Sequence, residues 1–343
     1  MQQQFVYAAL PTRVIFGRGK IAEAAQVAKR LGMKHPLVIT THQQSASGHQ
    51  LLKDTGGVLF AGAAMHTPVD VTEQALAVVK AQSCDGTIAL GGGSSTGLGK
   101  AIALRTDLPQ LVIPTSYAGS EMTNILGETQ DGAKTTKRDP KIQPEAVIYD
   151  PDLLATLPDK FAATSGMNAI AHAVEGLYAI DGNPIVSLMA EEGIRALASA
   201  LPKGKARHDE ALYGAWLCGT VLGSVAMALH HKLCHVLGGT FDLPHAETHT
   251  VVLPQATAYN SNSTEAMMRI ARALGSSTAA GGLFDLARNL GAPLSLKELG
   301  MPENGLDKAA DIAMSAPYPN PRPLERGAIR ELLQNAYDGR RPV

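Results

Sequence analysis

Up to about residue 150 the chain keeps switching between two hydrophobic periods, and beyond it the switching stops. "RVIF" (13–16), "PLVIT" (36–40), "GVLFA" (57–61), "TIAL" (87–90) and "QLVIP" (110–114) are short apolar runs of strand length. Amphipathic stretches separate them, among them "KIAEAAQVAKRL" (20–31) and "DVTEQALAVVKAQ" (70–82). A parallel crossover needs a helix to return the chain, so this alternation predicts a mostly parallel sheet with helices on both faces. Asp131-Gly132 in "ETQDGAKTTKR" (128–138) predicts a hairpin turn. After "YDPDLLATLP" (149–158) strand signals nearly vanish. Ala- and Leu-rich helical patterns follow at 161–180, 185–201, 209–237, 264–274, 281–290 and 324–337. The expectation is an α/β domain over 1–155 and an all-helical domain over 156–343, and a chain of 343 residues is long enough for two cores.

Composition narrows the function class. The net charge is −1, so no basic excess is available to neutralise phosphates, and a nucleic-acid partner is not expected. No apolar run reaches 18 residues and the first residues lack a signal-peptide pattern, so no membrane partner is expected either. Cys84, Cys218 and Cys234 are far apart and odd in number, which points to a reducing, cytoplasmic setting.

Two stretches carry chemistry. "TIALGGGSSTGLGKAIAL" (87–104) reads as strand, glycine turn, helix. Without Cβ atoms, Gly91, Gly92 and Gly93 let backbone N–H groups approach a diphosphate, and the following helix start adds positive dipole character. Two better-known glycine patterns fail here: Ser94 and Thr96 break Gly-x-Gly-x-x-Gly, and Ala101 follows Gly99-Lys100 where a P-loop needs Ser or Thr. With Ser94 and Ser95 the turn makes an NAD(P)-binding candidate at the carboxyl edge of a sheet. Thr115 and Ser116 of "IPTSYAGSE" (113–121) follow the next strand at that edge, and Thr123 and Lys134 are further cofactor candidates. After "PLVIT", Thr41 and His42 stand where NAD-selective proteins place an acidic residue, so NADPH is expected to be accepted beside NADH.

The second stretch, "ALHHKLCHVLGGTFDLPHAE" (228–247), is rich in imidazoles. His231 and His235 are one helical turn apart at the end of the expected 209–237 helix. A turn at Gly238-Gly239 leads to His245, behind Pro244, which suits a new helix start. Asn168 and His172 share the same spacing in "SGMNAIAHAVEG" (165–176). Burying several imidazoles without partners is costly, so convergence on one functional point is expected. His230 and His249 flank the group, Cys234 reads as a small buried hydrophobe, and His35, His42, His49, His66 and His208 read as solvated.

Taken together, "GGGS" after a strand, "IPT…GSE", "DP" before the helical half, Asn168-x-x-x-His172, His231-x-x-x-His235 with His245, and "NPRP" (320–323) occur in one order. That order resembles the iron-containing alcohol dehydrogenase family, over nearly the whole chain. The resemblance implies a dehydroquinate synthase-like arrangement, a dinucleotide-binding domain followed by a helical metal domain, and a homodimer. Its metal positions map onto Asn168, His172, His231 and His245, and His235 onto a histidine beside the nicotinamide. Asn168 stands where the family usually has Asp, Gly97 where it usually has Asp, and the 114–121 loop is one residue short. These departures, with "HHKLCHVLGG" and "NPRPLERGAIRELL", resemble one branch, the maleylacetate reductases. That branch uses NADH or NADPH to reduce a carbon–carbon double bond conjugated to a ketone, giving 3-oxoadipate in aromatic-compound degradation, and is not expected to require iron or zinc. The expected catalytic set is His172, His231, His235, His245 and Lys232, acting as donors to an enolate oxygen, with a protonated histidine or Lys232 adding charge. Asn168, Lys232 and Arg322 are the substrate-binding candidates for a small dicarboxylate. A metal-dependent alcohol dehydrogenase of the same family is the alternative, and Asn168 speaks against it.

Overall fold

A computed structural model describes residues 4–130 and 133–343, and the side chains of 133 and 134 fall outside that description. The Asp131-Gly132 turn and the Lys134 side chain therefore lie outside the described residues. The chain divides into two compact units, Ala9–Leu157 and Pro158–Val343 with the residues before Ala9.

The first unit holds a six-stranded parallel sheet in the order β1-β8-β5-β4-β2-β3. The strands are β1 (Arg13–Phe16), β2 (Leu37–Ile39), β3 (Val58–Phe60), β4 (Thr87–Gly91), β5 (Gln110–Pro114) and β8 (Ala146–Tyr149). Helices α1 (Ala24–Arg30), α2 (Ser45–Thr55), α3 (Val69–Ala81) and α4 (Gly93–Thr106) join them. Side chains alternate across a strand, so one face packs Ile88, Leu90, Ile113 and Ile148 with Val27 and Leu51. The opposite face packs Leu37 and Ile39 with Val79, Leu98 and Ile102. Burial on both faces explains why these strands read as unbroken apolar runs. β2 passes outward to β3 while β4 passes the other way to β5, so the strand order reverses between β2 and β4. That reversal opens a crevice at their carboxyl ends. β6 (Ile125–Gln130) and β7 (Ala133–Arg138) pair antiparallel beside the sheet.

The second unit is helical: α5 (Asp159–Leu177), α6 (Pro184–Ala200), α7 (His208–Ser224), α8 (Leu229–Phe241), α9 (His245–Tyr259), α10 (Thr264–Leu274), α11 (Ala279–Asn289), α12 (Leu306–Met314) and α13 (Arg326–Asp338). Leu229, Leu233, Leu237, Val252, Leu306, Ile329 and Leu333 form one core, each contributing about 1.5–3 kcal/mol of burial. Among the described residues no single helix is long and apolar enough to cross a membrane.

The expected single helix over 209–237 is two helices. It breaks at Val225, which is extended (φ −139°, ψ 166°), and resumes at Leu229. No Pro marks the break, although Gly223-Ser224 end α7; carboxylates from elsewhere in the chain hold it. Asp181 accepts the Ala226 N–H at 2.9 Å, and Glu175 accepts those of Ala228 and His230 at 2.9 and 2.8 Å. These anions cap the new helix start, where the dipole is positive. The Gly238-Gly239 turn is corrected too, since both glycines continue α8 and the reversal falls at Asp242, left-handed at φ 55°.

Candidate active site

In the first unit the glycine turn sits where β4 ends. Gly91 has φ +149°, and a Cβ there would meet Ser95 Oγ at 2.4 Å and Gln44 Oε1 at 2.6 Å, so only glycine fits. Gly92 caps α4 without any side-chain hydrogen bond. A Cβ on Gly93 would meet nothing within 4 Å, so space is open over the helix start. Ser94 follows in the first turn, and the buried Ser95 Oγ has no hydrogen-bond partner. Gln44, just beyond β2, donates to Thr115 Oγ1 at 2.7 Å and ties the ends of β2 and β5 together. Ser116 Oγ lies against Gly92, and Thr41 caps the short turn after β2. An uncapped helix start, an open glycine and hydroxyls at a strand-order reversal fit a dinucleotide diphosphate. Thr123 does a different job. It is buried, and its Oγ1 and carbonyl accept from Lys100 Nζ at 2.9 and 2.7 Å.

Lys100 is the signal missed in the sequence. It is 0% exposed, and Ser120 O and Ile125 O also accept from its ammonium. Burial pushes its pKa down to about 7, while Glu121 opposes that. Glu121 in turn accepts the Tyr149 hydroxyl at 2.7 Å. The 120–125 segment is thereby stapled to α4. Gly97, where the resemblance expects Asp, packs against Thr67: a Cβ there would lie 2.3 Å from Thr67 Oγ1.

In the second unit the histidines do converge. Ring centroids of His172 and His231 are 5.2 Å apart, those of His231 and His249 5.0 Å, and those of His249 and His245 4.3 Å. His235 is 6.4 Å from His231 and exposed on α8. His230 and His249 belong to the cluster itself, both buried. His208, expected to be solvated, is also buried. Asn168 Oδ1, His172 Nδ1, His231 Nε2 and both ring nitrogens of His249 are buried without a hydrogen-bond partner. Glu175, which the sequence reading passed over, lies 2.7 Å from His231 Nδ1 in a hydrogen bond.

Burial holds His172 and His249 well below the usual histidine range, and neighbouring imidazoles add to the effect. Burial also pushes His230 down to about 4 and His231 to about 3. Burial therefore disfavours the expected protonated histidine at these four rings. Lys232 is half-buried, with Nζ 5.7 Å from the Tyr318 ring centroid. Arg322 stacks on Tyr259 at 4.3 Å and donates to its carbonyl at 3.4 Å, so part of its capacity is spent within the helical unit.

Residues 11–151 match the profile of iron-containing alcohol dehydrogenases, and 162–337 match the C-terminal part of the same family. The chain belongs to the iron-containing alcohol dehydrogenase family. Within that family it is 54% identical to a maleylacetate reductase of Sphingobium indicum, over 99% of both chains. It is 53% identical to one from Burkholderia cepacia, over 98% of this chain and 99% of the relative. The crystal structure of maleylacetate reductase from Agrobacterium tumefaciens superposes with a TM-score of 0.96 at 52% identity, covering 99% of this chain and 100% of that one.

The family name implies a metal, and among the described residues the groups whose ligand atoms lie within 4.8 Å of one another are Glu175, His230 and His231, and His230, Cys234 and His249. Neutral imidazoles offer lone pairs, and Asn168 offers a carbonyl oxygen that nothing else engages. A histidine whose other ring nitrogen is held by a carboxylate, as His231 is by Glu175, is the usual supporting arrangement of a metal ligand. The set lacks the anionic ligand that an aspartate at 168 would provide, so divalent binding would rest on neutral imidazoles and the Asn168 carbonyl.

Proposed function

We propose that this oxidoreductase reduces the carbon–carbon double bond of maleylacetate to give 3-oxoadipate, with NADH or NADPH as reductant. The observation that carries the reading is Asn168 Oδ1, neutral, buried and unpartnered among the imidazoles. A neutral amide at that position suits an enone, whose enolate needs less electrophilic help than an alkoxide.

The reduced nicotinamide supplies hydride, which reaches the alkene carbon β to the ketone, and one proton from the site reaches the α carbon. Between these two steps negative charge develops on the ketone oxygen, as an enolate. Lys232, three residues before His235 on α8, is the cation nearest in sequence to the cluster. We assign it to that charge or to a substrate carboxylate. His235 and His245 are the proton-donor candidates, neutral His172 can offer at most a hydrogen bond, and Arg322 retains guanidinium N–H groups for the second carboxylate. A divalent ion held by Asn168, His172, His231 and His245 would polarise the same oxygen, and activity without added metal is part of the proposal. The glycine turn and Ser94, Ser95, Thr115 and Ser116 would hold the diphosphate. With Thr41 after β2 and no carboxylate to repel a 2′-phosphate, both cofactors are accepted.

The experiment compares two substrates. Purified protein, exhaustively chelated, is given NADH or NADPH with maleylacetate, and separately NAD⁺ with a primary alcohol and added iron or zinc. Oxidation of NADH with formation of 3-oxoadipate supports the reading. Turnover of the alcohol alone, tracking bound metal, would establish the metal-dependent alternative.

A further inference from the structure

We infer that Glu175 is a positioning residue that sets the tautomer of His231, keeping its proton on Nδ1 and leaving Nε2 as a bare lone pair within the histidine cluster. Two independent contacts lead there. The Glu175 carboxylate is 0% exposed and receives three hydrogen bonds: Ala228 N–H and His231 Nδ1 on Oε2 at 2.9 and 2.7 Å, and His230 N–H on Oε1 at 2.8 Å. Both carboxylate oxygens accept from backbone N–H groups, which favour the ionised form against the burial that raises the Glu175 pKa, and an ionised carboxylate accepts from the ring. The second contact lies on the far side of His230. Its Nε2 is 3.1 Å from the carbonyl oxygen of His249, which only accepts, so that nitrogen carries the proton and Nδ1 is bare. This bare Nδ1 lies 3.4 Å from His231 Nδ1. Two bare nitrogens facing each other would repel, whereas a proton on His231 Nδ1 satisfies Glu175 and His230 together.

His231 Nε2, buried and unpartnered, then lies among the rings of His172 and His249. It accepts a hydrogen bond or ligates; it does not donate to the enolate oxygen. Proton supply passes to His235, His245 or Lys232. The carboxylate that orients the ring also starts α8, so one residue couples helix geometry to site chemistry. Only this consequence rests on the reductase reading; the tautomer is independent of the substrate.

The test uses the full-length protein labelled with ¹⁵N-histidine. A long-range ¹H–¹⁵N correlation spectrum reports which ring nitrogen is protonated, and loss of a signal in His231→Asn assigns it. The wild-type ring is expected to show the Nδ1-protonated pattern. An Nε2-protonated pattern would overturn the inference, since Glu175 would then carry the proton. In Glu175→Gln the Nδ1 preference should be lost and kcat should fall by roughly 10–100-fold, with the KM for NADH unchanged. A Gln variant that folds and keeps the Nδ1-protonated pattern would overturn the causal role. If the variant does not fold, the wild-type spectrum alone decides.

Discussion

Two buried polar networks of this chain look alike in composition and differ in completeness. Around Lys100 every arm of the ammonium finds an oxygen, from Ser120, Thr123 and Ile125, and Glu121 is closed by Tyr149. Around His231 the network stops short: Asn168, His172, His231 and His249 all leave polar atoms buried and bare. Low dielectric makes both extremes matter. A completed network rigidifies its surroundings, whereas an unmade bond costs about 1–3 kcal/mol per group. A fold that tolerates several such orphans in one place has left them for something else to complete, as a ligand-binding site requires. The first network is structural, and the second is where we propose the chemistry.

Substitutions can break that contrast. His172→Leu removes a bare imidazole, so turnover should fall on the order of 10²- to 10⁴-fold while thermal stability holds or rises. Steady-state kinetics beside calorimetry check both halves, and a large drop in Tm with modest kinetic loss would reverse the roles of the two networks. Lys100→Met should do the opposite, leaving four oxygen acceptors without their donor at a cost of about 3–5 kcal/mol in denaturant unfolding. Smaller still, Gly93→Ala places a methyl in open space over the start of α4. It should leave stability unchanged and raise the KM for NADH about tenfold, or roughly 1.4 kcal/mol. Gly91→Ala, strained at φ +149° and crowded by Ser95, should instead destabilise.

The mildest perturbation is pH. His230 and His231 are held at about 4 and about 3, below the usual 6.5. Between those values and 6.5 the unfolded chain binds protons that the native chain refuses. Stability therefore rises with pH through that window, and it is lost as pH falls from 6.5 toward 4. Urea midpoints measured across the window read the slope directly, and a flat profile would mean that these rings are not buried neutral.

Much of the fold was legible in the sequence because its signals are local. Unbroken apolar runs such as "LVI" and "QLVIP" report burial on both sheet faces, and glycine at 91 reports a backbone turn. The site was legible as a set of residue types: the spacings of Asn168 with His172 and of His231 with His235 put them on helix faces, and those faces do meet. What was hidden is non-local. The break at 225–228 has no Gly or Pro and exists because Glu175 and Asp181 reach it from another segment. Lys100 looked like part of a failed P-loop, although its role is set by carbonyls 20 to 25 residues away. Partners of this kind appear only when the chain is folded.

A crystal structure of the protein with NADH and a saturated dicarboxylate analogue bears most directly on the claim that the bare atoms are site atoms. The account predicts ligand or ion density within about 2.6–3.2 Å of Asn168 Oδ1 and His231 Nε2, completing the network. Density seated elsewhere, with those atoms still bare, would contradict it.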